Sequence, residues 1–91
     1  MTLEPYEEEI LVKMYDKGLI RYQYTSIETV ARIIGWEEIA NNYRVKKGLK
    51  KILKRLINKG YVDDHGKSGN VASLTAEGMA YVIGKRKDSS R

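Results

Sequence analysis

Apolar and polar positions recur along this chain in blocks whose spacing predicts helix for most of its length and one short strand pair near the C-terminal end. Tyr6, Ile10, Leu11, Met14 and Tyr15 repeat at three- and four-residue steps, the period of one helix face. Pro5 suits a first helical turn, where its missing N–H has no partner to lose. Glu7, Glu8 and Glu9 follow, near the positive end of the helix dipole. Gly18 offers a left-handed stop, so a first helix is expected over residues 4–17. Residues 19–24 (LIRYQY) are apolar, aromatic and partly alternating, which fits either a short strand or an extended link.

Thr25-Ser26-Ile27-Glu28 matches a capping box. In that box the Thr25 hydroxyl is expected to accept from the Glu28 N–H and the Glu28 carboxylate to return the bond. Ile27, Val30, Ala31 and Ile34 make a narrow stripe closed by Gly35, giving a second helix over 26–34. Trp36 then reads as a core or boundary anchor. Residues 37–42 fit a turn or an extra helical turn, and Asn41 and Asn42 both suit an N-cap. In 41–60 (NNYRVKKGLKKILKRLINKG), Val45, Leu49, Ile52, Leu53, Leu56 and Ile57 share one face. At about 100° per residue, Lys46, Lys47, Lys50, Lys51, Lys54 and Arg55 fall on the other. A helix over about 43–59 is expected, with Gly48 inside it at a cost of about 1 kcal/mol relative to Ala. That glycine marks either a kink or a close approach to a neighbour or a phosphate.

Gly60 ends that helix. Tyr61-Val62 and Val71–Leu74 read as two strands around a polar tip rich in turn formers. Thr75 caps a last helix with Met79, Val82 and Ile83 on its apolar side. The expected fold is α+β, mainly α with a small β-hairpin. The expected organisation is one domain over 1–84 and a frayed basic tail over 85–91.

Charge sharpens the picture. Residues 1–40 hold four basic and eight acidic side chains, net −4, while residues 41–91 hold thirteen and four, net +9. From Arg44 to Lys59 there are eight Lys/Arg and no acid. Such asymmetry points to a polyanionic partner more than to a solvated face, which normally interleaves Glu with Lys. The absence of cysteine removes disulfides, thiolate catalysis and cysteine-based zinc sites. No window approaches the ~18 apolar residues of a membrane span. Membrane-surface binding fits poorly too, since the apolar face of the basic helix lacks aromatic anchors and is needed for the core. His65 is the one histidine; beside Asp63 and Asp64 it only superficially resembles a metal or acid–base set. No nucleophile–base pair, phosphate loop or metal cluster stands out, so neither an enzyme nor a cofactor, metal or small-molecule ligand is expected.

The order helix, possible strand, helix, basic helix, hairpin, helix resembles the winged helix-turn-helix family of DNA-binding proteins. VARIIGW (30–36) looks like that family's second-helix pattern, often I-A-x-x-L-G. LKKILKRLINKGYV (49–62) looks like a recognition helix running into the first wing strand, and LTAEG (74–78) is similar to the L-T-x-x-G step out of the wing. The resemblance covers nearly the whole chain and is nearest to small archaeal or archaeal-virus transcriptional regulators. The stretch from Gly35 to Leu49 is longer than a compact helix-turn-helix needs, so either the turn is enlarged or the third helix starts early.

The resemblance implies a three-helix core with a wing and a C-terminal helix. It implies a double-stranded DNA partner, a homodimer and a role in transcription regulation. The setting would be the cytoplasm, at the nucleoid, or the host cytoplasm for a viral protein. The recognition helix (43–59) would enter the major groove, with the hairpin (61–74) as wing. Asn41, Asn42, Tyr43 and Arg44 would then lie near base edges, where Arg reads guanine and Asn adenine; simple capping suits the two Asn equally well. Lys46, Lys47, Lys50 and Lys51 suit phosphates or guanine, and Lys54 adds positive field. Ser26 suits a phosphate as well as a cap. Lys67, Ser68 and Asn70 suit a wing tip approaching the backbone or minor groove. Ile10, Met14, Met79, Val82 and Ile83 are the candidate dimer contacts, and each also suits the core. Rival readings are a winged-helix protein-interaction module of a transcription or division assembly, and an RNA-binding domain.

Overall fold

The computed structural model describes residues 3–21, 23–65 and 70–89, with backbone alone for 87–89. Among these the order is α1 (Pro5–Asp16), β1 (Thr25–Ser26), α2 (Ile27–Ile34), α3 (Trp36–Tyr43), α4 (Leu49–Asn58), β2 (Val62–Asp63), β3 (Val71–Leu74) and α5 (Ala76–Ser89). The chain is thus mainly helical with a small antiparallel sheet, as its periodicity predicts.

Helix α1 begins on Glu4, whose N–H donates to the Glu7 carboxylate at 2.9 Å in a capping box, with Pro5 in the first turn. Its inward face is Glu7, Ile10, Leu11 and Met14, all fully buried. The link after it is not a strand of its own. Ile20 makes a single parallel bridge to Leu74, and the Arg21 N–H donates to the Leu74 carbonyl at 2.9 Å.

The sheet has three strands in the order β1-β3-β2. The expected hairpin pairs Val62 with Leu74 and Asp63 with Ser73. The third strand comes from residues read as a helix cap: Thr25 pairs with Ala72 and Ser26 with Val71. The cap of α2 therefore shifts by one residue. Ser26 accepts from the Thr29 N–H at 3.3 Å, while the Thr25 hydroxyl turns back to the Gln23 carbonyl. Extended backbone at both positions lets Ser26 close the strand and open the helix.

The largest departure lies between Gly35 and Leu49. Gly35 adopts a left-handed conformation (φ 71°) that ends α2 and starts α3 in one residue. Residues 37–42 are helical, and Ile39 buries that helix against the core. Asn41 and Asn42 lie in the last turn of α3 and cap nothing. The helix expected over 43–59 is instead the end of α3, an irregular stretch over 44–48, and α4. Gly48 precedes α4 as an extended N-cap (φ −72°, ψ 155°), which keeps glycine out of a helix interior.

The core gathers side chains from all five helices and the hairpin. Within it α5 makes a close approach. A Cβ on Gly78 would collide with the Tyr61 carbonyl oxygen and lie 2.8 Å from a Leu74 methyl. Thr75 locks the same corner: its hydroxyl donates to the Gly60 carbonyl at 2.7 Å and accepts from the Gly78 N–H at 3.0 Å. Helix α5 then continues through Ser89, so the segment from Lys85 expected to fray is helical that far. Lys85 pairs with Glu8 at 3.2 Å, and Arg86 pairs with Asp16 while lying over the Tyr15 ring.

Burial divides the candidate dimer contacts between their two readings, core and surface. Ile10, Met14 and Val82 are completely enclosed within the single chain and have no surface for a second copy. Met79 packs half-buried on the core, and Ile83 is exposed. Among the described residues no helix is long and apolar enough to cross a membrane.

Candidate nucleic-acid interface

Four apolar side chains fix how α4 sits. Leu49, Ile52, Leu53 and Leu56 are buried, so Lys50, Lys51 and Lys54 must project outward, and all three are exposed. The stretch over 44–48 adds Arg44, Lys46 and Lys47, also exposed, while Val45 turns inward to pack on the core. Among the described residues none of these six cations makes an ion pair. The N-terminus of α4 has no side-chain cap, so its first N–H groups add to the positive field there.

Three consecutive glutamates of α1 project about 100° apart and each engages a different helix. Glu7 points inward and meets Arg55 of α4 at 3.4 Å. Glu8 accepts from the Tyr81 hydroxyl and pairs with Lys85, both on α5. Glu9 accepts from the Tyr43 hydroxyl at 2.8 Å, at the end of α3. Arg55 is thus drawn towards the core, while the lysines around it stay outside.

The sequence-derived candidates divide accordingly. Arg44, Lys46, Lys47, Lys50, Lys51 and Lys54 are brought together on one continuous segment. Asn41 and Asn42 are exposed at the C-terminal end of α3, on a helix whose first turn carries exposed Glu37 and Glu38. They do not open the basic helix. Tyr43 is tied to α1: its ring lies tilted against Tyr6 at 6.5 Å, and its hydrogen bond to Glu9 raises its pKa. Ser26 and Asn70 are neighbours, since the Ile27 N–H donates to the Asn70 carbonyl at 2.9 Å. The Ser26 hydroxyl also donates to Thr29 at 2.8 Å. Lys67 and Ser68 lie outside the described residues.

At the base of the hairpin the sequence reading missed Tyr24. Its hydroxyl donates to Asp63 at 2.6 Å, and its ring lies tilted (38°) against His65 with centroids 4.3 Å apart. Only the aromatic content of 19–24 hinted at it. The cluster occupies the Asp63 and His65 side chains in structure, and among the described residues no group of three metal-binding side chains converges.

Comparison with known proteins leaves the residues to speak for themselves: no family model matches the chain, and no curated protein or solved structure matches it either.

Proposed function

We propose that this chain is a sequence-specific double-stranded DNA-binding protein of the winged helix-turn-helix type, acting as a transcriptional regulator in the cytoplasm. The observation that carries the reading is the segment from Arg44 to Lys54. It presents six exposed cations, without an ion pair among the described residues, on a stretch and helix that lead directly into a β-hairpin. In this reading α4 is the recognition helix, shorter than the sequence suggested, and the stretch before it supplies further phosphate contacts. Helix α3 is then an insertion in the helix-turn-helix turn. The β2–β3 hairpin is the wing, with Asn70 and Ser26 beside each other at its flank.

A homodimer suits paired half-sites. The two-fold contact falls to the exposed positions of α5, Ala76, Ala80 and Ile83, because three of the candidate contacts are spent inside the chain.

The test is a mobility-shift titration against salt, using duplexes selected from random sequence. Several phosphate contacts per chain give a steep loss of affinity with salt, while a flat response rejects the reading. Lys47→Glu with Lys51→Glu should abolish binding. Retention of a protein partner by that variant, with no DNA binding by the parent, would favour an interaction module. Preference for duplex RNA would count against a major-groove helix, since the A-form major groove is too narrow to admit one.

A further inference from the structure

The basic segment is tied to α1 on both sides. Behind it, Arg55 meets the buried Glu7 carboxylate. Ahead of it, the Tyr43 hydroxyl donates to Glu9 at 2.8 Å, on the residue just before the stretch begins. Arg44 follows in a left-handed conformation (φ 54°) usually taken by glycine. Arg44, Lys46 and Lys47 crowd four consecutive positions, and their mutual repulsion favours an extended, disordered chain. Order in that stretch therefore needs holding forces. The visible ones are the inward Val45 side chain, the Val45 N–H bond to the Ala40 carbonyl at 2.9 Å, and the link from Tyr43 to Glu9.

We propose that Tyr43 and Glu9 form a positioning latch that sets the geometry in which Arg44, Lys46 and Lys47 meet phosphate. The proposal rests on the DNA-binding reading above and reassigns Tyr43 within it, from a base contact to a residue that acts through its neighbours. A phenol donating to a carboxylate is a charge-assisted bond, and it crosses 34 residues of chain to fix the end of α3. Glu9 carries a charge of the wrong sign for DNA, and the latch gives that charge a use at the rim of a cationic surface.

Tyr43→Phe tests this without changing charge or ring packing. Two assays on the intact protein separate the latch from the function. In the free protein, amide exchange at Val45 should accelerate several-fold in Tyr43→Phe, while amides of α5 stay as in wild type. Glu9→Gln, which keeps an acceptor, should retain the slow exchange. In salt titrations with a selected duplex, Tyr43→Phe should lose affinity about threefold with an unchanged slope, because fewer molecules are competent while phosphate contacts are equal in number. Exchange at Val45 equal to wild type overturns the latch. Faster exchange with undiminished affinity overturns its positioning role. A flat salt response in the wild-type protein overturns the DNA reading itself, a failure visible without the exchange data.

Discussion

The Arg55 guanidinium reaches Glu7 at 3.4 Å, and the two partners are unequal: the arginine side chain is 48% exposed and the glutamate 0%. One Glu7 oxygen accepts from the Glu4 N–H, and the other has only the ion pair. Cutting the pair from its two sides should therefore give different results. Arg55→Met strands a buried carboxylate and should cost about 3 kcal/mol, the low end for a buried pair because the arginine is half-exposed. Glu7→Gln leaves a cation that water can reach and keeps the acceptor for Glu4, and should cost about 1 kcal/mol. Urea denaturation of the two variants measures the difference; equal losses would mean that Glu7 is not held by Arg55.

Gly78 offers a case where two rules oppose. Alanine in a helix is favoured over glycine by about 1 kcal/mol. At Gly78, however, the added methyl meets the Tyr61 carbonyl and Leu74. Steric overlap in a packed corner costs about 1–3 kcal/mol, and the backbone carbonyl cannot swing aside as a side chain would. Gly78→Ala should lower the denaturation midpoint, whereas Gly84→Ala, whose Cβ meets nothing within 4 Å, should hold or raise it.

Arg44 separates stability from function. Its positive φ is a strain that glycine would relieve. Arg44→Gly should be as stable as the parent or up to about 1 kcal/mol more stable, the gain being limited by glycine's extra chain entropy. The same change removes a cation from the proposed interface, so the slope of log affinity against log salt should shrink by about 1. Calorimetry and a salt titration on one preparation give both answers.

Tyrosines report on alkaline stability. Burial, and then the hydrogen bond to Glu8, hold the Tyr81 hydroxyl well above its usual pKa of 10.0. Burial chiefly raises Tyr6, and the Glu9 hydrogen bond raises Tyr43. A raised folded-state pKa means that the unfolded chain releases these protons first. The contribution is complete below pH 10.0, the unfolded value, and is lost as pH climbs towards the folded value. The melting temperature should fall above about pH 10, with a shallower fall in Tyr81→Phe. Phenolate absorbance followed in the folded protein should lag behind that of the unfolded chain.

Periodicity found α4 because Leu49, Ile52, Leu53 and Leu56 carry a strong signal, and it found the hairpin from its turn residues. It overran the helix start for a definite reason. Val45 lies four residues before Leu49 and faces the core from a non-helical stretch, so the apolar stripe continues where the helix does not. Gly48 alone marked the break. Helix α3 was harder to see: Trp36, Ile39 and Tyr43 keep helical spacing, but Trp36 directly after Gly35 reads as an isolated anchor, and Ile39 is the one fully buried side chain in the helix. The partners of Glu7, Glu8 and Glu9 were beyond reach, because each lies in a distant element that only the folded chain brings near. The same gap left Ile10, Met14 and Val82 open between core and dimer contact, since apolar character cannot say whether a neighbour belongs to the same chain; their full burial favours the core.

The three adjacent glutamates constrain how this protein can change over time. Each grips a separate helix, so their directions are set relative to the inward face of Ile10, Leu11 and Met14. Inserting or deleting one residue between Glu9 and Met14 would turn that grip by about a quarter of a turn, and three inter-helix contacts would fail together. Substitutions in α1 can accumulate singly, but a change of its length there cannot, and lineages of this chain should vary in the links while α1 keeps its count.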